Sequence, residues 1–384
     1  MDYNIILITL DGLRSDRLSS SSSLMKIQEK SLFYNNLITV APYTLASLHA
    51  IFSGMYPKDN GVNAYYRMSK FKENEIETIT QLLQKNGYYT SCDIIHDAII
   101  PKKGFDERNV FDEESVDFKE RHSNLIKKLS EKKKFFLFLH YTEPHKNLVK
   151  ELNKDKVKDE YSEVKRNSKE EEDDFFSSIE KNEKRYDSYM PELDAYVKKI
   201  HKTIIESGIE EKTILIFHAD HGTSLGEKIG EKFYGVFVYD YTIKVFAIIK
   251  IPGQKPEIIN TQCQTIDIFP TIAELAKIDL TNSSKTQGIS LLNLLNDKKN
   301  NERVSYVETG GLYGPWPSPT EHNIFCIRHK NKKLIYNKTP KTWEFYDLEK
   351  DEHEKNNIYE KDSELIKNYK EKLVNHFDEL DFID

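Results

Sequence analysis

Three uninterrupted apolar runs, each followed at once by acidic or imidazole side chains, constrain the fold of this chain most strongly. Asn4–Leu10 (NIILITL) ends at Asp11, Phe135–His140 (FFLFLH) precedes TEPH, and Thr213–His218 (TILIFH) precedes ADHG. Continuous aliphatic and β-branched runs of this length are typical of strands that are buried on both faces of a sheet. The pattern therefore predicts a central sheet that is covered on both sides.

Helical patterns alternate with these strand candidates. An amphipathic stretch from Met190 to Ser207 leads into the third run, and strands that alternate with helices favour a mostly parallel sheet. We predict a doubly wound α/β domain, in which helices flank a mostly parallel sheet. The 384 residues are enough for one large domain and a smaller appended unit.

The pattern changes after about Leu280. Short strand candidates follow at Phe325–Arg328 and Lys333–Tyr336, and a helical stretch follows at Leu365–Leu380. We predict a large domain over residues 1–280 and a smaller C-terminal α+β subdomain over residues 281–384. Within the large domain, residues 146–184 are dense in Lys and Glu, which indicates a solvated insertion.

Composition excludes several classes of partner. The 56 basic and 63 acidic residues give a net charge of −7, so no global positive field favours nucleic acid. No run reaches membrane-span length. The cysteines Cys92, Cys263 and Cys326 show neither metal-site spacing nor a disulfide framework. The first residues form an apolar run that is typical of a buried strand, and they show no signal-peptide pattern. The simplest expected location is therefore the cytoplasm.

Polar residues that follow the strand candidates are expected to converge. Because ligands gather outside the carboxyl ends of parallel strands, Asp11, His145, Asp220 and His221 should lie at one edge of the sheet. Carboxylate oxygens joined by imidazole suit a divalent cation. Each motif alone has another explanation, since Asp11 could cap a helix and Asp-His-Gly could form an ordinary turn.

Several motifs in order resemble the sulfatase branch of the alkaline phosphatase superfamily. The opening NIILITLDGLRSDRL resembles the family's first strand with its metal-binding aspartate, and Ala41–Val62 (APYTLASLHAIFSGMYPKDNGV) resembles the nucleophile helix. Further matches are FLFLHYTEPH, IFHADHGTSLGEK, YDYTIKVFAIIKIPG, TIDIFPTIAEL, GISLLNLL and EFYDLEKDEHEKNN. The resemblance spans nearly the whole chain and implies an alkaline phosphatase-like fold.

The resemblance also implies roles for individual residues. Asp11, Asp220 and His221 would coordinate one metal ion, with the hydroxyl of Thr44 bound to it as the nucleophile. A cation acidifies such a hydroxyl and offsets the charge of the attacked ester, and a helix start supplies N–H donors. His145 would face the leaving group and donate a proton to it.

Two further residues are candidates for binding the anionic part of the substrate. Lys228, in GEK, stands where relatives have a basic or imidazole group, although a surface lysine explains it equally well. His49 lies one helical turn beyond Ala46, and packing explains it equally well. His140 fits either a histidine of the core at the end of a strand or a catalytic group.

The nucleophile motif departs from the sulfatase pattern. The usual enzymes convert a cysteine or serine to formylglycine and follow it with an arginine two residues after the proline, whereas this chain has Thr44 and Leu48. Threonine cannot form that aldehyde, but it is the nucleophile of phosphoester hydrolases and phosphotransferases in the superfamily. We therefore expect hydrolysis, or transfer, at a phosphate ester through a covalent Thr44 intermediate.

The metal motif also departs from the pattern. Gly12 stands where sulfatases generally have a second aspartate, and Tyr234 stands where many relatives have a histidine. These losses favour a single divalent ion, for which Mn²⁺, Zn²⁺, Mg²⁺ and Ca²⁺ are all acceptable; the imidazole shifts the preference toward Mn²⁺ or Zn²⁺. The expected partner is a small-molecule or glycan-linked anionic ester.

Three alternative functions remain open from the sequence. They are a sulfuric ester hydrolase that works without formylglycine, a phosphotransferase for envelope or glycan substrates, and a non-catalytic family member that binds an anion. The presence of Asp11, Thr44, Asp220 and His221 together argues against the last, because a binding module has little need of a nucleophile beside metal ligands.

Overall fold

A computed structural model of the protein describes residues 2–63, 70–113, 115–143, 175–281, 285–295, 303–310, 324–338, 340–377 and 380. Within these residues, nine strands form one sheet. Its strands in chain order are β1 Asn4–Leu10, β2 Leu32–Ile38, β3 Tyr89–Ile94, β4 Glu107–Val110, β5 Phe135–Tyr141, β6 Thr213–His218, β7 Lys244–Lys250, β8 Glu257–Ile259 and β9 Cys263–Gln264.

The sheet has the order β4-β3-β5-β1-β6-β7-β2-β8, and β9 also pairs with β2. Strand β1 pairs in parallel with β5 and β6, whereas β7 is antiparallel to both β6 and β2. Helices flank this mostly parallel sheet, so the predicted fold class is confirmed.

The helices of the large domain flank the sheet in two groups, and the last described helix packs in the C-terminal subdomain. Those of the described residues are α1 Ser22–Gln28, α2 Thr44–Ser53, α3 Pro57–Asn60, α4 Ile79–Lys85, α5 Phe118–Ser130, α6 Ile179–Asp187, α7 Met190–Glu206, α8 Asp240–Ile243, α9 Ile268–Leu275 and α10 Glu364–His376. Helix α7 contacts α1 and α5, and α9 contacts α2 and α4. None of these helices is long and apolar enough to cross a bilayer.

The central strands align the polar residues at their carboxyl ends. All seven residues of β1 are buried, because apolar side chains cover both faces of the sheet. In the parallel register Thr9 lies opposite His140 of β5 and His218 of β6. The segments that follow these three strands therefore begin at the same edge of the sheet.

A second sheet forms the C-terminal subdomain. Its strands are β10 Val304–Thr309, β11 Ile324–His329, β12 Lys332–Asn337 and β13 Thr342–Asp347, antiparallel in that order. Helix α10 packs on one face through Ile366, Tyr369 and Leu373. The other face meets the segment from Val236 to Tyr239, which belongs to the large domain. The predicted C-terminal α+β subdomain is confirmed, although β10 and β13 were not predicted.

The charged insertion is described only at its end. Residues 144–174, which include most of the predicted solvated segment, lie outside the described residues. Beyond them, Phe175 and Asn182 are buried, and the amide of Asn182 donates to the carbonyl oxygens of Phe175 and Leu225, at 2.8 Å each. Phe175 and Asn182 thus anchor this end of the segment to the core, while Glu180 and Lys184 between and beyond them are exposed, as predicted for a solvated segment.

Candidate metal centre

Two aspartates and a histidine converge at the carboxyl ends of β1 and β6. Asp11 follows β1 directly, and Asp220 and His221 follow β6 after one alanine. Candidate ligand atoms of the three side chains lie within 4.8 Å of one another, and all three residues are buried. The parallel pairing of β1 and β6 brings residues together that are more than two hundred positions apart in the chain.

The turn after β1 supports Asp220 through the backbone of Gly12. The Gly12 N–H donates to Oδ1 of Asp220 at 3.3 Å, and the Gly12 carbonyl accepts from the hydroxyls of Thr223 at 2.7 Å and Tyr186 at 3.1 Å. Gly12 has a φ of 64°, which glycine adopts without strain. At this position, where the resemblance led us to expect a second aspartate, the chain thus offers a backbone donor.

Thr44 stands beside this group at the first residue of α2. Its hydroxyl donates to Oδ2 of Asp11 at 3.4 Å and lies 3.2 Å from Nε2 of His221. Thr44 is half-buried, whereas the nine following residues of α2 are buried. The hydroxyl is therefore both accessible and held next to the candidate metal ligands.

Ser47 fixes the nucleophile helix to the end of β6. Its hydroxyl donates to the Asp220 carbonyl oxygen at 2.9 Å and contacts the Thr39 hydroxyl at 3.0 Å. We had assigned no role to Ser47 from the sequence, although it is the serine of the nucleophile motif. Its position three residues after Thr44, on the same side of the helix, was the available signal.

A buried histidine stands behind Asp11. Nε2 of His140 lies 2.7 Å from Oδ2 of Asp11, and burial lowers the pKa of His140 to about 4. The imidazole is therefore neutral near pH 7, and Nε2 carries the proton because a carboxylate only accepts. Of the two hypotheses for His140, the geometry supports neither a plain core residue nor contact with substrate; it makes His140 a hydrogen-bond donor that orients Asp11.

The protonation states near the site follow from burial. Burial acts to raise the pKa of Asp220. The electrostatic effect of His221, followed by those of His140 and His218, is larger in sum and holds this pKa below its ordinary value. His218 bonds Thr9 at 2.9 Å, and burial lowers the pKa of His218 to about 4. The ionised form of Asp220 is therefore favoured in spite of burial.

This donor set fits one divalent cation. Oδ2 of Asp220 is buried and has no hydrogen-bond partner in the part of the chain that the structure describes; Nε2 of His221 lies 3.7 Å away. An ionised oxygen in this situation is costly unless a positive charge compensates for it. Two carboxylates and an imidazole suit Mn²⁺ or Zn²⁺, and also accept Mg²⁺ or Ca²⁺.

The predicted substrate-binding residues make other contacts. The Lys228 ammonium donates to the Glu354 carbonyl at 2.5 Å and lies 4.4 Å from the centre of the Tyr239 ring. Nδ1 of His49 bonds the Leu45 carbonyl at 2.8 Å, and burial lowers the pKa of His49 to about 4. The Lys228 side chain thus contacts the C-terminal subdomain, and the neutral His49 packs in the core. Contact with the anionic part of a substrate stays a prediction for both residues.

His145, the predicted proton donor to the leaving group, lies outside the described residues. Tyr141, four positions earlier in the sequence, ends β5 close to Asp11, whose N–H donates to the Tyr141 carbonyl at 3.0 Å. The role of His145 therefore stays a prediction.

Comparison with known proteins places this geometry in a family. Residues 3–278 match the family described as Sulfatase, and residues 230–380 match the family described as N-sulphoglucosamine sulphohydrolase, C-terminal. The choline-sulfatase of Rhizobium meliloti is 26% identical over 186 residues, which are 48% of this chain and 34% of that protein. The N-acetylglucosamine-6-O-sulfatase of Bacteroides thetaiotaomicron is 27% identical over 204 residues, 49% of this chain and 35% of that protein. Each match thus spans about a third of the relative's length.

Solved structures with the same fold cover almost the whole chain. One, determined in complex with its substrate D-glucosamine-2-N,6-O-disulfate, has a TM-score of 0.76 at 18% identity and covers 99% of both chains. The phosphonate monoester hydrolase of Agrobacterium radiobacter has a TM-score of 0.75 at 15% identity and covers 97% of this chain and 95% of that one. At these identities the likeness establishes the fold alone.

Proposed function

The chain belongs to the sulfatase family, and on that basis we propose that it is a metal-dependent ester hydrolase in which Thr44 is the nucleophile. One observation carries the proposal. The Thr44 hydroxyl stands at the start of α2, 3.4 Å from Oδ2 of Asp11 and 3.2 Å from Nε2 of His221. A nucleophile, an acceptor for its proton and a candidate cation site therefore meet at one point.

Asp11, Asp220 and His221 would hold one divalent ion, with Mn²⁺ or Zn²⁺ as the first choice. When bound, such an ion stabilises negative charge on an ester and makes a nearby hydroxyl more acidic. The protein's own contribution is to fix the ligands. His140 and Gly12 hold the carboxylates of Asp11 and Asp220 through hydrogen bonds, and such supporting bonds orient metal ligands.

The reaction would proceed in two displacements. Oδ2 of Asp11 accepts the Thr44 proton while Oγ1 of Thr44 forms a bond to phosphorus, and the bond from phosphorus to the leaving oxygen breaks. The leaving oxygen takes a proton from His145. Water, or an acceptor alcohol in a transferase, then attacks phosphorus and gives a proton to His145, while Oγ1 leaves and regains its proton from Oδ2 of Asp11. The backbone N–H groups at the start of α2 favour the anionic ester throughout.

The choice of a phosphate ester rests on Thr44 alone. Threonine cannot become formylglycine, so the usual route of sulfate ester hydrolysis is not open to this chain. The names of the relatives, choline-sulfatase and N-acetylglucosamine-6-O-sulfatase among them, favour a sulfate ester instead. A sulfuric ester hydrolase that uses Thr44 directly is therefore the second candidate.

The same comparisons support a proposal for the organic part of the substrate. One relative is named for a sulfated amino sugar, and one structure of the same fold holds D-glucosamine-2-N,6-O-disulfate. These names support a glycan-linked ester as the substrate. We also propose that the large domain ends near residue 280, with residues 281–384 closing one side of the pocket.

A substrate panel tests the proposal. The protein is loaded with Mn²⁺ or Zn²⁺ and assayed on p-nitrophenyl phosphate, its diester and phosphonate analogues, and p-nitrophenyl sulfate. Turnover of a phosphorus ester above that of the sulfate supports the first candidate, whereas turnover of the sulfate alone establishes the second. If the metal-loaded protein turned over none of these esters, and neither sulfated nor phosphorylated glucosamine, the non-catalytic alternative would be favoured.

A further inference from the structure

Tyr234 lies flat against the imidazole of His221. The two ring centroids are 4.6 Å apart and the ring planes are inclined by only 26°, a separation within the favourable range of about 4.5–7 Å for aromatic pairs. Tyr234 is half-buried and Phe233 before it is buried. The contact thus covers one face of a candidate metal ligand.

Polar contacts at both ring nitrogens set the position of this imidazole. Nδ1 of His221 lies 2.7 Å from the carbonyl oxygen of the next residue, Gly222. That bond constrains one ring atom and leaves Nε2 as the atom that faces Thr44 at 3.2 Å and Oδ1 of Asp11 at 3.5 Å. The stacked contact with Tyr234 adds a constraint that acts on the face of the ring.

The loop adopts a strained conformation at the residue before Tyr234. Phe233 has a φ of 74°, which is rare for a bulky side chain and persists only where the surroundings enforce it. Phe233 forms an isolated bridge with Ser224, and its ring packs edge-on against Phe175 at 5.7 Å. The anchored Phe233 turns the chain so that Tyr234 faces His221.

Apolar side chains at and near the start of α2 also contact Tyr234. It packs against the cluster formed by Ala41, Tyr43, Leu45, Ala46 and Val62. Leu45 and Ala46 directly follow Thr44 in the first turn of α2. Tyr234 therefore bridges the nucleophile helix and the ligand histidine.

We propose that Tyr234 is a positioning residue of the candidate metal centre. Its ring fixes the imidazole plane of His221, so that Nε2 stays directed toward Asp11 and Thr44. The inference rests on the part of the proposed function that gives His221 a metal, and it is independent of which ester the protein cleaves.

Substitution of Tyr234 tests this role by metal binding rather than by turnover. The variants Tyr234→Leu, which keeps apolar bulk, and Tyr234→Phe, which keeps the ring, are titrated with Mn²⁺ by calorimetry and loaded with Co²⁺ for visible spectroscopy. We expect Tyr234→Leu to weaken Mn²⁺ binding by about 10-fold or more, the usual effect of losing a residue that orients a ligand, and to change the Co²⁺ spectrum. Tyr234→Phe should resemble the wild type in both.

The matched control is Tyr359→Leu. Tyr359 is also a half-buried tyrosine in an aromatic pair, with Trp343 at 6.2 Å and 8° between planes, but it lies in the C-terminal subdomain. Unchanged Mn²⁺ affinity and Co²⁺ spectrum in folded Tyr234→Leu would overturn the proposal, as would an equal loss in Tyr234→Phe. A wild type that binds Mn²⁺ but cleaves no ester would refute the proposed function and leave this inference standing; a wild type that binds no metal would refute both.

Discussion

At the residue scale, the short contact between His140 and Asp11 organises the candidate metal centre. Nε2 of His140 donates to Oδ2 of Asp11 at 2.7 Å, and both groups are buried. The same carboxylate oxygen accepts the hydrogen bond of Thr44. The orientation of Asp11 therefore affects both the candidate metal site and the nucleophile.

We predict that His140→Phe weakens Mn²⁺ binding by about 10- to 100-fold, because the carboxylate loses the donor that orients it. The change keeps a buried ring of similar shape. Calorimetric titration with Mn²⁺ measures the effect.

The control for this prediction is His218→Phe. His218 is equally buried at the neighbouring strand end, but its Nε2 bonds the Thr9 hydroxyl rather than a carboxylate. We expect His218→Phe to lose less Mn²⁺ affinity than His140→Phe. Equal losses in the two variants would show that general disturbance of the strand ends, not the bond to Asp11, determines metal affinity.

The sequence was sufficient to place Asp11, Asp220 and His221 together, because the parallel strands bring their carboxyl ends to one edge, and the resemblance to the sulfatase family predicted Thr44 beside them. The sequence did not reveal the packing contacts of Lys228 and His49. The direction of a side chain depends on its packing partners, and for Lys228 these include Glu354, 126 positions away. Such long-range contacts leave no local signal.

At the element scale, the loop between β6 and α8 folds around the buried carboxyl of Glu231. Oε1 accepts from the backbone N–H groups of Val236 at 3.0 Å and Phe237 at 2.7 Å. Burial nevertheless raises the pKa of Glu231 from 4.5 to about 8, and the nearby carboxylate of Glu227 adds to the increase. The loop that carries Tyr234 therefore contains a carboxyl that is protonated at neutral pH.

This raised pKa makes stability fall with pH. The unfolded chain releases the Glu231 proton near pH 4.5, whereas the folded chain keeps it until about pH 8. The stabilising effect of the bound proton is complete below the lower value and is lost as the pH rises through the window, by at most about 1.4 kcal/mol per pH unit.

We predict that Glu231→Gln, which has no proton to lose and keeps an acceptor for both N–H groups, shows a smaller decrease in unfolding free energy across this window than the wild type. Urea unfolding near pH 5 and near pH 8 measures the difference. Parallel decreases in the two proteins would mean that Glu231 is ionised in the folded state at neutral pH.

The elements that the sequence predicted are those with a continuous apolar run. Strands β1, β5 and β6 are central and wholly buried, so their composition identifies them. Strands β10 and β13 are the edges of the C-terminal sheet, and their sequences VSYVET and TWEFYD mix polar with apolar residues. The antiparallel direction of β7 was also not evident from the sequence; the segment that connects it to β6 contains a long loop and the four-residue α8 but no crossover helix.

At the scale of the whole molecule, a buried charge cluster connects the two sheets. Lys333 of β12 is fully buried, and its ammonium lies 2.5 Å from Oδ1 of Asp240 and 2.7 Å from Oε1 of Glu354. Asp240 begins α8, in the large domain. The two positive charges of Lys333 and Arg328 hold the pKa of Asp240 below its ordinary value even though burial acts to raise it.

We predict that Lys333→Met lowers the unfolding free energy by about 3–5 kcal/mol, because it leaves the buried carboxylate of Asp240 and the buried carboxyl group of Glu354 without their shared ammonium partner. The neighbouring Lys332→Met is the control. Lys332 pairs with Asp347 at 2.7 Å in a partly exposed site, for which a loss of about 0–1 kcal/mol is expected. Comparable losses in the two variants, measured by chemical denaturation, would mean that the buried cluster does not stabilise the contact between the sheets.

The central claim is that Thr44 attacks the ester while Asp11, Asp220 and His221 hold a divalent ion. The most direct measurement compares wild type and Thr44→Ala, both loaded with the same metal and with occupancy checked by calorimetry, on the ester that the wild type turns over fastest. The account predicts that kcat/KM falls by more than about a thousandfold, as for the loss of other catalytic nucleophiles, with metal binding retained. Turnover that persists in Thr44→Ala at full metal occupancy would contradict it, because no covalent step on Thr44 would then be required.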